Sequence, residues 1–115
     1  MAPIPITTQV QLEELLCGYD YIGNPGPKRF MIWFSAAWCG PCQKMDKVDL
    51  EAAAKEVSLP FYYCDEVVVP EAVTNCGITS FPTFVIYGRK EVLAKRVSAD
   101  TTKVCQWIRK YGLAK

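Results

Sequence analysis

Residues Phe30-Met31-Ile32-Trp33-Phe34 form an almost unbroken apolar run that ends at Ser35. A run this short and this apolar reads as a strand buried on both faces, the kind found inside layered α/β sheets. The flanking segments agree, because helical and strand signals alternate. Leu12, Leu15, Leu16 and Tyr19 fall at i, i+3, i+4 and i+7, with Thr7 or Thr8 to cap the helix and Gly18 to stop it. Tyr21 to Pro27 is rich in Gly and Pro and reads as a loop. From about Pro41 to Val57 the composition is helical, and Phe61–Asp65 reads as a strand after Pro60. Pro70 to Cys76 suits a short helix stopped by Gly77. Thr83–Tyr87 and Glu91–Val97 read as a hairpin around Gly88-Arg89-Lys90. Asp100 can cap a last helix with the stripe Val104, Trp107, Ile108 and Tyr111, and Ile4–Ile6 can add a short strand. This order predicts an α/β domain: a mixed central sheet of four to five strands, helices on both faces, a parallel β–α–β half followed by an antiparallel hairpin.

A chain of 115 residues fits one domain, 1–115, and can build a core without metals or structural disulfides. A net charge of +1 predicts no strong attraction to nucleic acid or to an anionic membrane. No apolar run is long enough to span a bilayer. The absence of histidine excludes Cys–His and Ser–His–Asp hydrolases and a His-ligated zinc. Met1 to Thr8 lacks the basic start and apolar block of a secretory signal, so a reducing, cytoplasmic setting is expected. In such a setting six cysteines are mostly free thiols, and a closely spaced pair is catalytic or metal-binding rather than structural.

The close pair lies in Trp38-Cys39-Gly40-Pro41-Cys42, between the buried strand and the helical segment. Cys39 at the helix start meets unpaired backbone N–H groups and the positive end of the helix dipole, which favour the thiolate. Two intervening residues let the second sulfur reach the first across one turn, and Pro41 suits a position whose N–H has no partner. Cys39 is therefore expected to be exposed and Cys42 more buried. That asymmetry suits dithiol exchange: Cys39 attacks a substrate disulfide, then Cys42 resolves the mixed disulfide. As metal ligands the two supply half of a Cys₄ set, so no metal site and no cofactor are expected.

These five residues, with Phe81-Pro82-Thr83 43 positions after Cys39, resemble the thioredoxin family, and the resemblance covers nearly the whole chain. It implies the thioredoxin fold and the reduction of protein disulfides. It implies that Pro82 is cis and faces the disulfide, keeping metals away. It implies also that Phe81 pairs through its backbone with an extended substrate, a form of strand addition. Trp38, Gly40, Pro41 and Phe81 would make an apolar docking surface. The implied partners are disulfide-containing proteins and a thioredoxin reductase or another dithiol donor, with the protein itself a monomer.

The chain also departs from the family's pattern. Trp33 stands where the family carries a buried Asp, and Phe61, Tyr62 and Tyr63 offer no Lys partner; Asp65 and Glu66 are nearby carboxylates. Lys47 replaces a mid-helix Pro, which predicts a straighter helix, and Ser98 replaces a Gly near the substrate groove. The loop Asp20–Lys28 is longer. Of the remaining thiols, Cys64 reads as core, Cys17 and Cys105 as partly buried fillers, and Cys76, near the expected rim of the site, as a regulatory thiol or one without function. Trp33 and Trp107 read as core, Lys44 and Lys47 as solvated. Two other functions fit the same residues: a disulfide oxidase or isomerase, and a binding or assembly module that uses the fold rather than the thiols.

Overall fold

The computed structural model describes residues 3–18 and 26–113. Tyr19 and most of the loop that precedes β2 lie outside them. Five strands carry the fold: β1 Ile4–Ile6, β2 Arg29–Ser35, β3 Phe61–Asp65, β4 Thr83–Gly88 and β5 Glu91–Val97. They form one sheet in the order β1-β3-β2-β4-β5. β3 runs parallel to both β1 and β2, while β4 is antiparallel to β2 and to β5. Between them come α1 Gln9–Leu16, α2 Gly40–Gln43, α3 Lys47–Glu56, α4 Pro70–Asn75 and finally α5 Thr101–Tyr111. The alternating order is that expected, and the optional first strand is present.

The alternation of side chains along β2 divides the interior in two. Met31 and Trp33 face one core with Phe84, Ile86, Leu50, Ala53, Val104 and Ile108, beneath α3 and α5. Phe30, Ile32 and Phe34 face the other, with Leu12, Leu15, Cys64, Ala72, Val85 and Tyr87, beneath α1 and α4. Aromatic rings knit the first core: Trp33 stacks on Phe61 and Phe84, with centroids 6.2 and 5.5 Å apart, and meets Tyr63 edge-on at 5.2 Å. Among the described residues no helix is long and apolar enough to cross a membrane.

Helix ends follow the expected chemistry. The Thr8 hydroxyl accepts from Gln11 N at 3.1 Å, and the Asp100 carboxylate accepts from Lys103 N at 3.1 Å. Gly77 follows α4 with φ +67°, a conformation that glycine adopts freely. α5 ends on Arg29, whose guanidinium donates to the carbonyls of Tyr111 at 2.9 Å and Gly112 at 3.0 Å. These are last-turn acceptors without partners inside the helix.

The sequence reading needs correction at several points. The segment from Pro41 to Val57 is two helices, so the expected straight helix is absent. Asp46 adopts extended backbone and its carboxylate accepts from Asp49 N at 3.1 Å, which starts α3 afresh. Thr101 Oγ1 accepts from Asp46 N at 3.1 Å and ties the break to α5. Buried Met45 turns inward at the same place. A cap-forming residue with a partner on another helix thus outweighs the local helical composition. Tyr111, assigned to the apolar stripe, is 45% exposed. It is the last residue of α5, beyond the reach of the core, whereas Val104, Trp107 and Ile108 are buried. Gly88 belongs to β4, leaving Arg89 and Lys90 as the turn. Cys17 is exposed rather than partly buried, because α1 ends one residue before it.

Asp46→Ala is expected to lower stability by about 1 kcal/mol through loss of the α3 cap, while Asp46→Asn retains it. Thermal unfolding of the two variants beside the wild type checks this, and equal melting temperatures would remove the cap from the account of the break.

Candidate active site

The C-terminal end of β2 delivers the chain into a tight turn. Cys39 N donates to the Ala36 carbonyl at 3.0 Å, and the Gln43 side-chain amide donates to that same carbonyl at 3.1 Å. Cys39 takes the N-cap position of α2 and Pro41 falls within the first turn. The two sulfurs are joined as a Cys39–Cys42 disulfide. Cys42 N donates to Cys39 Sγ at 3.3 Å, so a backbone N–H already points at the sulfur that would carry charge after reduction. Because α2 is a single turn, separated from α3 by the break, support for a thiolate is local: it comes from this N–H and its neighbours rather than from a long helix.

Cys39 is 5% exposed and Cys42 1%, in a small buried cluster with Ala36 that Phe81 packs against. The order of exposure is as expected, but Cys39 is far less open than its place at the helix start implied. Phe81 packs against the cluster that holds it. The Phe81–Pro82 peptide bond is cis, and Pro82 is buried immediately before β4. Thr83 Oγ1 donates to the Ser80 carbonyl at 2.6 Å and holds the approach to that bond.

Trp38 is 66% exposed and meets Phe81 edge-on, with ring centroids 5.6 Å apart. Gly40 is open on its outer side and Pro41 is exposed. The structure thus gathers Trp38, Cys39, Gly40, Pro41, Cys42, Phe81 and Pro82 at one end of the sheet. Glu66 joins them: the Trp38 indole Nε1 donates to its carboxylate at 2.9 Å, which fixes the indole beside the disulfide. This bond spans 28 positions, and no motif or spacing announced it. Val67 and Val68, both exposed, continue the turn that Glu66 opens.

Neither nearby carboxylate takes up the place of a buried acid beneath Cys42. Asp65 Oδ1 accepts from Val67 N at 2.8 Å, and Glu66 is bound to Trp38. Trp33 is fully buried, and among the described residues its indole N–H has no hydrogen-bond partner. A buried donor left this way costs about 1–3 kcal/mol, set here against extensive ring packing.

The other thiols divide by environment. Cys64 is wholly buried, and burial, with smaller contributions from Cys76 and Asp65, pushes its thiol up to about 12. Cys76 is half-buried and packs toward the Cys64 core, with its thiol beside the Tyr87 hydroxyl, rather than in the cluster of Cys39 and Cys42. Burial raises it above the ordinary thiol value, only partly offset by that hydroxyl. Cys105 is buried, its Sγ donating to the Asp49 carbonyl at 3.5 Å, and burial raises it too.

A five-stranded mixed sheet, with a dithiol pair at the end of its central strand and a cis proline facing that end, defines a protein built for thiol–disulfide chemistry. The family model described as thioredoxin matches residues 20–110. A thioredoxin of Ophiophagus hannah is 28% identical over 90 residues, covering 78% of this chain and 86% of that protein. Thioredoxin H2-1 of Oryza sativa subsp. japonica is 34% identical over 73 residues; the match covers 64% of this chain and about half, 53%, of the rice protein. The solved thioredoxin of Fasciola hepatica superposes with a TM-score of 0.73 at 27% identity, covering 94% of this chain and 98% of that one. The chain belongs to the thioredoxin family and is a thiol–disulfide oxidoreductase.

A raised thiol pKa stabilises the fold while the thiol stays protonated. That contribution is complete below the unfolded value of about 9 and is lost as pH climbs toward the folded value of about 12 for Cys64. Thermal stability is therefore expected to fall between pH 9 and 12, and Cys64→Val to flatten the fall. In the folded, reduced protein near neutral pH, a thiol-labelling reagent should modify exposed Cys17 well before Cys64 or Cys105. Labelling of Cys64 as fast as Cys17 would contradict its burial.

Proposed function

We propose that the protein is a reductant of protein disulfides, cycling between a Cys39/Cys42 dithiol and the Cys39–Cys42 disulfide. The observation that carries this is the Cys39–Cys42 disulfide at the start of α2: both cysteines are buried, 5% and 1% exposed, and Cys39 holds the N-cap, where its sulfur accepts from the N–H of Cys42. The Cys39 thiolate attacks one sulfur of a substrate disulfide, forming a mixed disulfide and releasing the other sulfur as a thiolate. Cys42, giving up its proton, then attacks Cys39 Sγ. The substrate leaves as a dithiol, two electrons richer, and the pair is left oxidised. The second step is intramolecular and needs no encounter.

Trp38, held by Glu66, forms with Phe81, Gly40 and Pro41 the surface on which a substrate would rest. The backbone beside cis-Pro82 would pair with its extended segment. A thioredoxin reductase or another dithiol donor would restore the reduced pair, and the protein would act as a monomer. The setting proposed for this work is a reducing, cytoplasmic one, in which thiols such as Cys17, Cys64, Cys76 and Cys105 stay unpaired. The Gly40-Pro41 pair favours the reducing direction over oxidase or isomerase activity.

Insulin reduction with dithiothreitol as donor tests this. The wild type is expected to accelerate the reaction strongly, and Cys39→Ser to return it to the rate of dithiothreitol alone. Cys42→Ser should lose turnover yet trap a mixed disulfide with substrate, visible under non-reducing conditions. Wild-type activity no greater than dithiothreitol alone would overturn the general-reductant proposal and favour a narrow-substrate enzyme or a binding module.

A further inference from the structure

β2 runs from Arg29 to Ser35, so at about 3.3 Å per residue its two ends lie roughly 20 Å apart. At the Arg29 end, away from the disulfide, two grooves flank the turn between β4 and β5. One, of about 610 Å³, is bounded by Arg29, Arg89, Glu91, Leu93, Lys110 and Tyr111. The other, of about 410 Å³, shares Arg89 and adds Lys28 and Lys90. Among the described residues the two are lined by five cations and one carboxylate, Glu91, in a chain whose net charge is +1. At the redox end the charge is mixed, with the carboxylates of Asp65 and Glu66 near Lys44, which ends α2, and Arg96, which pairs with Phe84.

The turn supplies a second observation. Arg89 and Lys90 have φ of +52° and +66°, both in the left-handed region. Two-residue hairpin turns of this kind favour Asn-Gly, because side chains larger than those of Asn or Gly are disfavoured there. Both positions instead carry long, exposed cationic side chains. The turn's own bonding does not require them, since Arg89 N donates to the Lys28 carbonyl as any residue's amide would. Local conflict of this kind marks positions kept for something other than folding. Leu93, Tyr111 and Leu113 leave much of their apolar surface exposed around the same groove. The guanidinium of Arg29 is already fixed there by the two carbonyls at the end of α5.

We propose that this end of the sheet is a second docking surface, taking an extended acidic segment of a partner protein. Carboxylates of the segment meet Arg89, Lys90 and Lys110, and its apolar side chains rest on Leu93, Tyr111 and Leu113. Complementary charge and a concave, partly apolar groove favour a peptide over a flat lipid surface. Glu91 among the cations opposes an unbroken run of phosphates but accepts a peptide that places an N–H or a neutral residue opposite it. Because the surface faces away from Cys39 and Cys42, an occupant tethers the protein and leaves its dithiol free.

Fluorescence anisotropy with a labelled peptide alternating glutamate and leucine, and its glutamine counterpart, provides the test. The glutamate peptide is expected to bind, more weakly as salt rises, and the glutamine peptide not to. Arg89→Asn, which suits left-handed backbone, should weaken binding about fivefold with the melting temperature held or raised; R89N/K110Q should weaken it at least about tenfold. Insulin reduction by both variants should stay at the wild-type rate, which separates this proposal from the redox one. No binding of the glutamate peptide by the wild type, or unaltered binding in the double variant, would overturn it. So would weakening by Trp38→Ala instead, or tighter binding of duplex DNA or phosphatidylserine vesicles through the same residues.

Discussion

No face of β2 is turned to water. Met31 and Trp33 fill one core and Phe30, Ile32 and Phe34 the other, so helices must cover both sides before the strand is stable. α3 and α5 close one side, α1 and α4 the other, and β3 and β4 satisfy the backbone of β2 along both edges. That enclosure gives the strand a fixed end. The turn leaving Ser35 therefore places Cys39 with an accuracy that a surface loop would lack, and the cis bond before β4 arrives beside it because β4 is its lateral neighbour.

Chemistry at that end relies on short-range effects. One backbone N–H faces Cys39 Sγ, Cys42 lies one turn behind, and a carboxylate steadies the indole alongside. The interior below offers Trp33, packed among Phe61, Tyr63 and Phe84, in place of an ionisable pair. Two opposite charges there would need mutual pairing to offset their desolvation, whereas an aromatic cluster needs only shape. Replacement of the acid together with the base is consistent with that logic.

Periodicity and punctuation carried most of the fold. The strand at Phe61–Asp65 and the turn and capping residues Thr8, Gly77 and Asp100 were legible because each depends on near neighbours in the chain. The redox pair and Phe81-Pro82 were legible as motifs. What escaped depends on distant partners. The break before α3 rests on Thr101 receiving the Asp46 amide, 55 positions away, and the role of Glu66 rests on an indole 28 positions away. The low exposure of Cys39 follows from Phe81 folding over it. Such contacts leave no periodic trace in a sequence, since they depend on where elements come to rest rather than on what forms them.

The interruption between α2 and α3 has a consequence for cooperativity. α3 carries its own cap and packs against α5, so its order does not depend on the turn that bears the sulfurs. The turn that bears the sulfurs is held besides by the side-chain amide of Gln43 and the backbone bonds of Cys39, none of which reaches past Asp46. The turn that bears the sulfurs and α3 thus close their hydrogen bonds separately and meet at one aspartate. A change of covalent state at Cys39 and Cys42 thereby falls within one short turn, while the cap that starts α3 is made by residues outside that turn.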